Sequence, residues 1–259
     1  MRIRGPLLAA CFVQRENRFR ARVRLAGEEV AAHLPNSGRL SELLLPGRRV
    51  LLAEARASHR VTDYDLLMVQ APETLVSVDA RLPNRLFAEA LEGGTLAEFA
   101  GLRVASPEFP YGASRLDFLL ETDQGTEPCV VEVKSVTLVR DGVGYFPDVV
   151  TQRGSCHLGE LRRARQEGRR AAVVFVIQRP DARAFMAHDE SDPQFGELLR
   201  AVAGDGVEVH AHTCRVSPEE VVLNGPVPVL LSEGGSSTAS PGTTHWLPAR
   251  VSQTGDTPR

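Results

Sequence analysis

The chain has 259 residues, 42% of them hydrophobic and 24% charged, with a formal net charge of −3. Those are globular values, which argue against a collagen-like or wholly disordered chain, and no apolar run approaches the roughly eighteen residues of a membrane helix. Cys11, Cys129, Cys156 and Cys214 are scattered with no Cys-x-x-Cys pair, which disfavours a zinc ribbon or disulfide framework and suits a reducing compartment.

Residues 1–60 carry twelve arginines against five glutamates, a balance of +7 that leaves −10 for the remainder of a chain whose total is −3. A basic module on an acidic body points to a polyanion contact confined to one part of the chain. The stretch Met1 to Pro6 has no long apolar run before a small-residue cleavage site, so a cytoplasmic protein is the expectation. Short strands are predicted at 7–14, 18–25, 29–33, 48–56, 64–70 and 75–79, punctuated by Gly27, Pro35-Asn36-Ser37-Gly38 and Pro46-Gly47. Many short strands within residues 1–80 predict a small OB-like barrel. Arg18, Arg20, Arg22 and Arg24 alternate with Phe19, Ala21, Val23 and Leu25. In a strand that places four guanidiniums on one face, where a phosphate backbone would supply the counter-charge. Arg39, Arg48 and Arg49 are candidates to extend the path.

The pattern then changes. Pro83-Asn84 introduces a helix over 85–92 that ends at Gly93-Gly94. Strands follow near 102–109, 114–121 and 128–138. Thr151 can cap a helix over 152–167 that closes at Gly168. The continuous apolar run from Ala171 to Gln178 reads as a strand covered on both faces. A helix near 194–203 and a strand near 206–213 complete an α/β sandwich over residues 81–232. Residues 233–259, rich in Gly, Ser, Thr and Pro and containing Trp246, read as a disordered tail.

Lys134 is the only lysine in the chain; arginine fills the other basic positions. Lysine is a compact point charge where arginine is a planar fork, so a single lysine in an arginine-only chain suggests a chemical task. It lies in Glu132-Val133-Lys134 on a predicted strand, and period 2 puts Glu132 and Lys134 on one face. A hairpin through Asp123-Gln124-Gly125 would bring Asp117 near Glu132. Two carboxylates at short range repel unless a cation lies between them, and a hard divalent cation such as Mg²⁺ or Mn²⁺ suits oxygen ligands. The alternative is an ordinary Asp117–Lys134 ion pair with Glu132 solvated.

Several stretches in order make the chain recognisable: Arg15-Glu16-Asn17-Arg18-Phe19, His33-Leu34-Pro35-Asn36-Ser37-Gly38-Arg39-Leu40, Ser114-Arg115-Leu116-Asp117-Phe118, Val131-Glu132-Val133-Lys134-Ser135-Val136-Thr137-Leu138, Phe146-Pro147-Asp148-Val149-Val150-Thr151-Gln152-Arg153-Gly154 and His157-Leu158. Over residues 7–231 it resembles the sugar fermentation stimulation protein A (SfsA) family. The resemblance implies an OB-like β-barrel followed by a PD-(D/E)xK nuclease-like α/β domain, and DNA binding with little sequence preference. It implies a catalytic triplet of Asp117, Glu132 and Lys134, with a further metal-binding acid on the preceding helix, for which Glu89 is the candidate and Glu108 its rival. Cys156 departs from the family, where lysine is common before His157.

Arg153 and His157, four apart on the predicted helix, share a face suited to a phosphate near the metal site. Asp148 precedes that helix as a loop residue. His210 and His212 share a strand face without a third ligand nearby and read as surface histidines. Two functions follow as expectations: a DNA-binding protein with a Mg²⁺-dependent nuclease site, or a DNA-binding regulatory protein whose nuclease site is vestigial. A nuclease acting on RNA or small nucleotides is a third.

Overall fold

The computed structural model describes residues 1–55, 60–122 and 128–231. The Asp123-Gln124-Gly125 turn, Arg56 and the polar tail lie outside the described residues. The first six strands are β1 (Leu8–Asn17), β2 (Arg20–Leu25), β3 (Glu28–His33), β4 (Arg49–Glu54), β5 (Tyr64–Gln70) and β6 (Leu75–Ser77). They form one sheet in the order β3-β2-β1-β4-β5-β6, and a parallel pairing of β3 with β5 closes it into a barrel. Alternation drives the closure: Ala21 and Val23 of β2 are fully buried, while Arg20 and Arg22 are half-buried and Arg24 is exposed. Each buried valine of this core contributes about 1.5–3 kcal/mol by leaving water. β2 starts at Arg20, so Arg18 sits in the β1–β2 turn outside the expected strand.

The second part comprises α1 (Leu82–Glu92), a 3₁₀ turn (Ala97–Phe99), β7 (Arg103–Tyr111), β8 (Ser114–Glu121), β9 (Cys129–Val136), β10 (Leu138–Arg140), β11 (Val143–Phe146), α2 (Gln152–Gln166), β12 (Arg170–Ile177), β13 (Ala184–Ala187), α3 (Pro193–Gly204), β14 (Glu208–Val216), β15 (Val221–Pro226) and β16 (Val229–Leu230). Its main sheet runs β15-β14-β12-β9-β8-β7, with β12 parallel to both neighbours. That central position explains why Ala171 to Ile177 are all fully buried. α1 packs on one face, with Val131 and Val133; α2 and α3 pack on the other, with Val130 and Val136. Thr151 caps α2 by accepting from the Gly154 amide at 3.1 Å, as its sequence position predicts. The architecture is the expected one, an OB-like barrel followed by a mixed α/β domain.

Three local expectations differ. α1 begins at Leu82, because Pro83 fits the first turn, where its missing N–H costs nothing. The run expected at 128–138 breaks after Val136, and β10 turns away to join β11, β13 and β16 in a separate four-stranded sheet. β13, β15 and β16 are short and carry little periodicity of their own.

The two parts meet in one buried cluster. Leu51 and Met68 from the outer wall of the barrel pack with Leu82, Leu86 and Phe87 of α1. Gln178, fully buried, bridges the seam: its side chain accepts from the Ser77 hydroxyl at 3.0 Å and donates to the Ser135 hydroxyl at 2.9 Å. The loop after β3 docks on the segment before α2, where an Asp148 oxygen accepts from the Arg39 amide at 2.7 Å. A Cβ on Gly38 would lie 2.5 Å from that same oxygen. Gly38→Ala is therefore expected to displace Asp148 and cost about 1–3 kcal/mol, read as a lower urea midpoint at unchanged m-value.

Candidate active site

The site forms where β8 and β9 part. Their antiparallel ladder pairs Leu120 with Cys129, Leu119 with Val130 and Phe118 with Val131, and ends there. Just beyond its end, Asp117 lies near enough to Glu132 for the two charges to act on each other. An Asp117 oxygen accepts from the Val133 amide at 2.8 Å, satisfying a backbone group that a strand partner would otherwise take. The other oxygen accepts from the Asn84 side chain at 2.7 Å. Asn84 is thus the α1 side chain that reaches the site.

Glu132 and Lys134 share the face under α2, as period 2 predicts, and both are buried, at 3% and 9% exposure. Lys134 Nζ donates to Glu132 Oε1 at 2.6 Å. His157, only 5% exposed, turns inward from α2 and places Nδ1 on the same Glu132 oxygen, with Lys134 Nζ 3.2 Å away. Arg153 donates weakly to His157 Nε2 at 3.4 Å, which leaves Nδ1 as the protonated nitrogen facing the carboxylate. Glu132 Oε2 is buried with no hydrogen-bond partner.

The two carboxyls titrate in opposite directions. Burial, and then the charge of Glu132, push Asp117 up to about 6, against the hydrogen bonds from Val133 and Asn84. Burial alone would also raise Glu132, but the His157 hydrogen bond and the Lys134 charge hold it below the usual carboxylate range.

The structure brings Asp117, Glu132 and Lys134 together and adds His157, which the sequence suggested as a contact to a phosphate near the metal site. It is buried against Glu132, and its sequence signals were the i+4 spacing from Arg153 and the His157-Leu158 match. Glu89 does not join the group: it pairs with the Met1 amino group at 2.8 Å and its side chain is largely exposed. Glu108, on β7, is also exposed. Among the described residues no three His, Cys, Asp or Glu side chains are grouped to hold a metal ion. Two carboxylates with one unpartnered buried oxygen nonetheless suit a single hard cation whose other ligands are water or phosphate.

The arginine face is more neutralised than its sequence suggests. Arg20 and Arg22 both pair with Glu16, the former at 2.7 Å, and Arg24 pairs with Glu29 at 3.0 Å. Arg18 lies 5.9 Å from the ring centre of Phe19, which is 46% exposed. Arg39 is exposed beside the seam, and its guanidinium has no carboxylate partner among the described residues. Arg48 donates to the Glu42 carbonyl at 3.2 Å, and Arg49 is exposed. Arg15 holds the loop after β3, donating to the carbonyls of Asn17, Arg18, Asn36, Gly38 and Arg39. His210 pairs with Glu208 at 3.1 Å; His212 is buried and pairs with Glu98 at 2.6 Å.

No helix among the described residues is long and apolar enough to cross a membrane. Residues 13–78 match the family described as the SfsA N-terminal OB domain, and residues 81–220 match the sugar fermentation stimulation protein RE domain. A sugar fermentation stimulation protein homolog of Moorella thermoacetica is 49% identical over 226 residues, covering 87% of this chain and 97% of that protein. A homolog of the same description from Symbiobacterium thermophilum is 50% identical over 240 residues, covering 87% and 95%. The structure of Pyrococcus furiosus SfsA in complex with Ca²⁺ is similar at a TM-score of 0.82 and 31% identity, covering 89% of this chain and 98% of that one. With both of its parts matched in order and near-full-length relatives at this identity, the chain belongs to the sugar fermentation stimulation protein (SfsA) family.

Proposed function

We propose that this protein binds DNA with little sequence preference and hydrolyses its phosphodiester bonds at Asp117, Glu132 and Lys134 with the help of a divalent cation. Family membership and the nuclease-like fold support the DNA binding. The observation that carries the hydrolytic reading is the buried, unpartnered Glu132 Oε2 beside Asp117 and Lys134. A buried carboxylate oxygen without a partner is costly unless something occupies it. The Ca²⁺ complex of the Pyrococcus furiosus relative is consistent with a cation.

Asp117 and Glu132 would hold the ion, Mg²⁺ or Mn²⁺. A cation bound there supplies charge to a phosphoryl oxygen and acidifies a coordinated water. Lys134 uses one of its three N–H groups on Glu132 Oε1, which leaves others to orient an attacking water or to neutralise charge on the scissile phosphate. His157 holds Glu132 Oε1 alongside Lys134, which leaves Oε2 without a protein partner. Asn84 and the Val133 amide fix Asp117 in the same way.

The count of only two acids favours a second reading, in which the fold binds DNA without cutting it. Calorimetric titration of Mn²⁺ into wild type and Asp117→Asn, followed by incubation with single-stranded, duplex and branched DNA, separates them. Asp117-dependent binding with cleavage of any substrate supports the enzyme; no specific uptake and intact strands support the binding protein.

Affinity for DNA is expected to depend on salt less steeply than the arginine count suggests. Among the proposed contacts Arg18, Arg39, Arg48, Arg49 and Arg153 have no carboxylate partner among the described residues. Five phosphate contacts give a slope of log K against log salt of about −3.5 on a single strand. A slope near zero by fluorescence anisotropy would remove the arginine path from the reading.

A further inference from the structure

Two adjoining cavities, each of about 190 Å³, lie along the seam between the barrel and the α/β domain, and Leu138 and Asp148 line both. The first begins at Ser135 and Val136, the residues that follow Lys134 on β9, and is closed by Asn36 to Gly38 of the barrel. The second contains Arg39, Glu42, Arg140 and His188. We propose that this seam is a subsite for one unpaired nucleotide next to the scissile phosphodiester, with its phosphate on Arg39 and Arg140 and its base edge against Glu42 and His188. The inference rests on the nuclease reading for its position relative to the scissile bond.

Two buried polar atoms at the second cavity have no hydrogen-bond partner among the described residues. His188 is 8% exposed and its Nδ1 lies 3.0 Å from the Pro147 carbonyl. A carbonyl only accepts, so Nδ1 carries the hydrogen, and in the tautomer with that single hydrogen Nε2 is an acceptor. That Nε2 is buried without a hydrogen-bond partner; Glu190, 3.8 Å away, is another acceptor. Glu42 Oε1 is likewise buried and unpartnered. Buried acceptors call for donors, and the amino groups and ring N–H groups of bases supply them.

Arg39 and Arg140 share the lining of this cavity with the carboxyls of Glu42, Asp148 and Glu190, and Arg140 meets the largely exposed Glu190 at 3.6 Å. Two weakly committed guanidiniums suit a phosphate. Arg15 pins the loop that carries Arg39 through three of its backbone carbonyls, those of Asn36, Gly38 and Arg39, so one wall is set before anything binds. The dimensions choose the form of the nucleotide. Space on this scale admits one extruded or unpaired base and shuts out a base pair.

The donor requirement also ranks the bases. Guanine offers a ring N–H and an adjacent amino group, a pair of donors that a carboxylate accepts together, whereas thymine offers a single ring N–H. The subsite therefore favours guanine over thymine at one position of a strand.

The test is fluorescence anisotropy in EDTA, with short single-stranded oligothymidines carrying one guanine or one abasic site at successive positions. At one position guanine is expected to bind wild type about tenfold more tightly than the abasic strand. Glu42→Gln should abolish that gain and leave the abasic strand unchanged. Arg140→Ala, at an exposed position, should weaken every single strand on the order of threefold, and thermal unfolding of both variants should match wild type. Absence of any position where guanine differs from the abasic site overturns the subsite, as does an equal loss on both strands in Glu42→Gln. Because no metal is present, the result is independent of cleavage. A guanine gain in a protein that never cuts would sink the nuclease reading and leave the subsite standing on binding alone.

Discussion

Lys134→Met is expected to slow metal-dependent cleavage of DNA by about 10³-fold while leaving DNA affinity within about twofold of wild type. Methionine keeps most of the aliphatic stem in a site with only 9% exposure and removes the charge and all three N–H groups. The loss should fall on the rate under single-turnover conditions, because the arginines proposed to carry affinity are spread over the barrel and the outer end of α2. Lys134→Arg should not rescue it. A planar fork does not fit where one compact ammonium meets both Glu132 and His157. Removing the ammonium also leaves Glu132 Oε1 with His157 as its remaining partner, so a stability cost of about 1–3 kcal/mol should accompany the change. A variant that folds, binds DNA and cuts at the wild-type rate would eliminate Lys134 from the chemistry.

Asp117→Asn is expected to do the reverse to stability. In the metal-free protein the Asp117 carboxyl is pushed up to about 6 from an ordinary 3.8. Below pH 4 it is protonated in folded and unfolded chains alike and contributes nothing. As pH rises from about 4 to about 6 the unfolded chain releases its proton first, and the folded state loses stability. Above that window the penalty is complete, about 2–3 kcal/mol after discounting for the partial exposure of the group. Asparagine carries no charge and still has an oxygen for the Val133 amide and an amide that can pair with Asn84. In EDTA the variant should therefore be more stable than wild type at pH 7, with the difference closing as pH falls from 6 to 4. Guanidinium melts across that range measure it. Mn²⁺ should stabilise wild type at pH 7 and leave the variant unmoved, because binding to the folded state alone adds to its stability. A variant that gains nothing at pH 7 would show that Asp117 is not strained by its surroundings.

Much of the fold was legible because the relevant signals are local. The alternation in Arg20–Leu25, the uninterrupted apolar run before Gln178 and the cap at Thr151 each reflect a choice made within a few residues. The nearness of Asp117 to Glu132 was legible too, since a short β8–β9 connection leaves few registers open. Less legible was the break at Val136. β9 and β10 read as one strand, and only the pairing of β10 with β11, which lies 3 residues on from Arg140, shows that the chain changes sheets there.

By itself the sequence determined which residues share a face and which chemistry is scarce: a single lysine two positions from a glutamate, with arginine everywhere else. Only the tertiary structure decided which charge meets which. It gave Arg22 to Glu16 through the β1–β2 hairpin and Glu89 to the Met1 amine. It sent Asn84 to Asp117 in place of an acid, turned His157 inward to Glu132, and left Glu42 and His188 facing one cavity. Faces follow from backbone periodicity, which each segment carries alone. Charge partners follow from how strands and helices distant in sequence are docked, and burial of the whole core sets that docking against individual polar contacts worth only about 1 kcal/mol each.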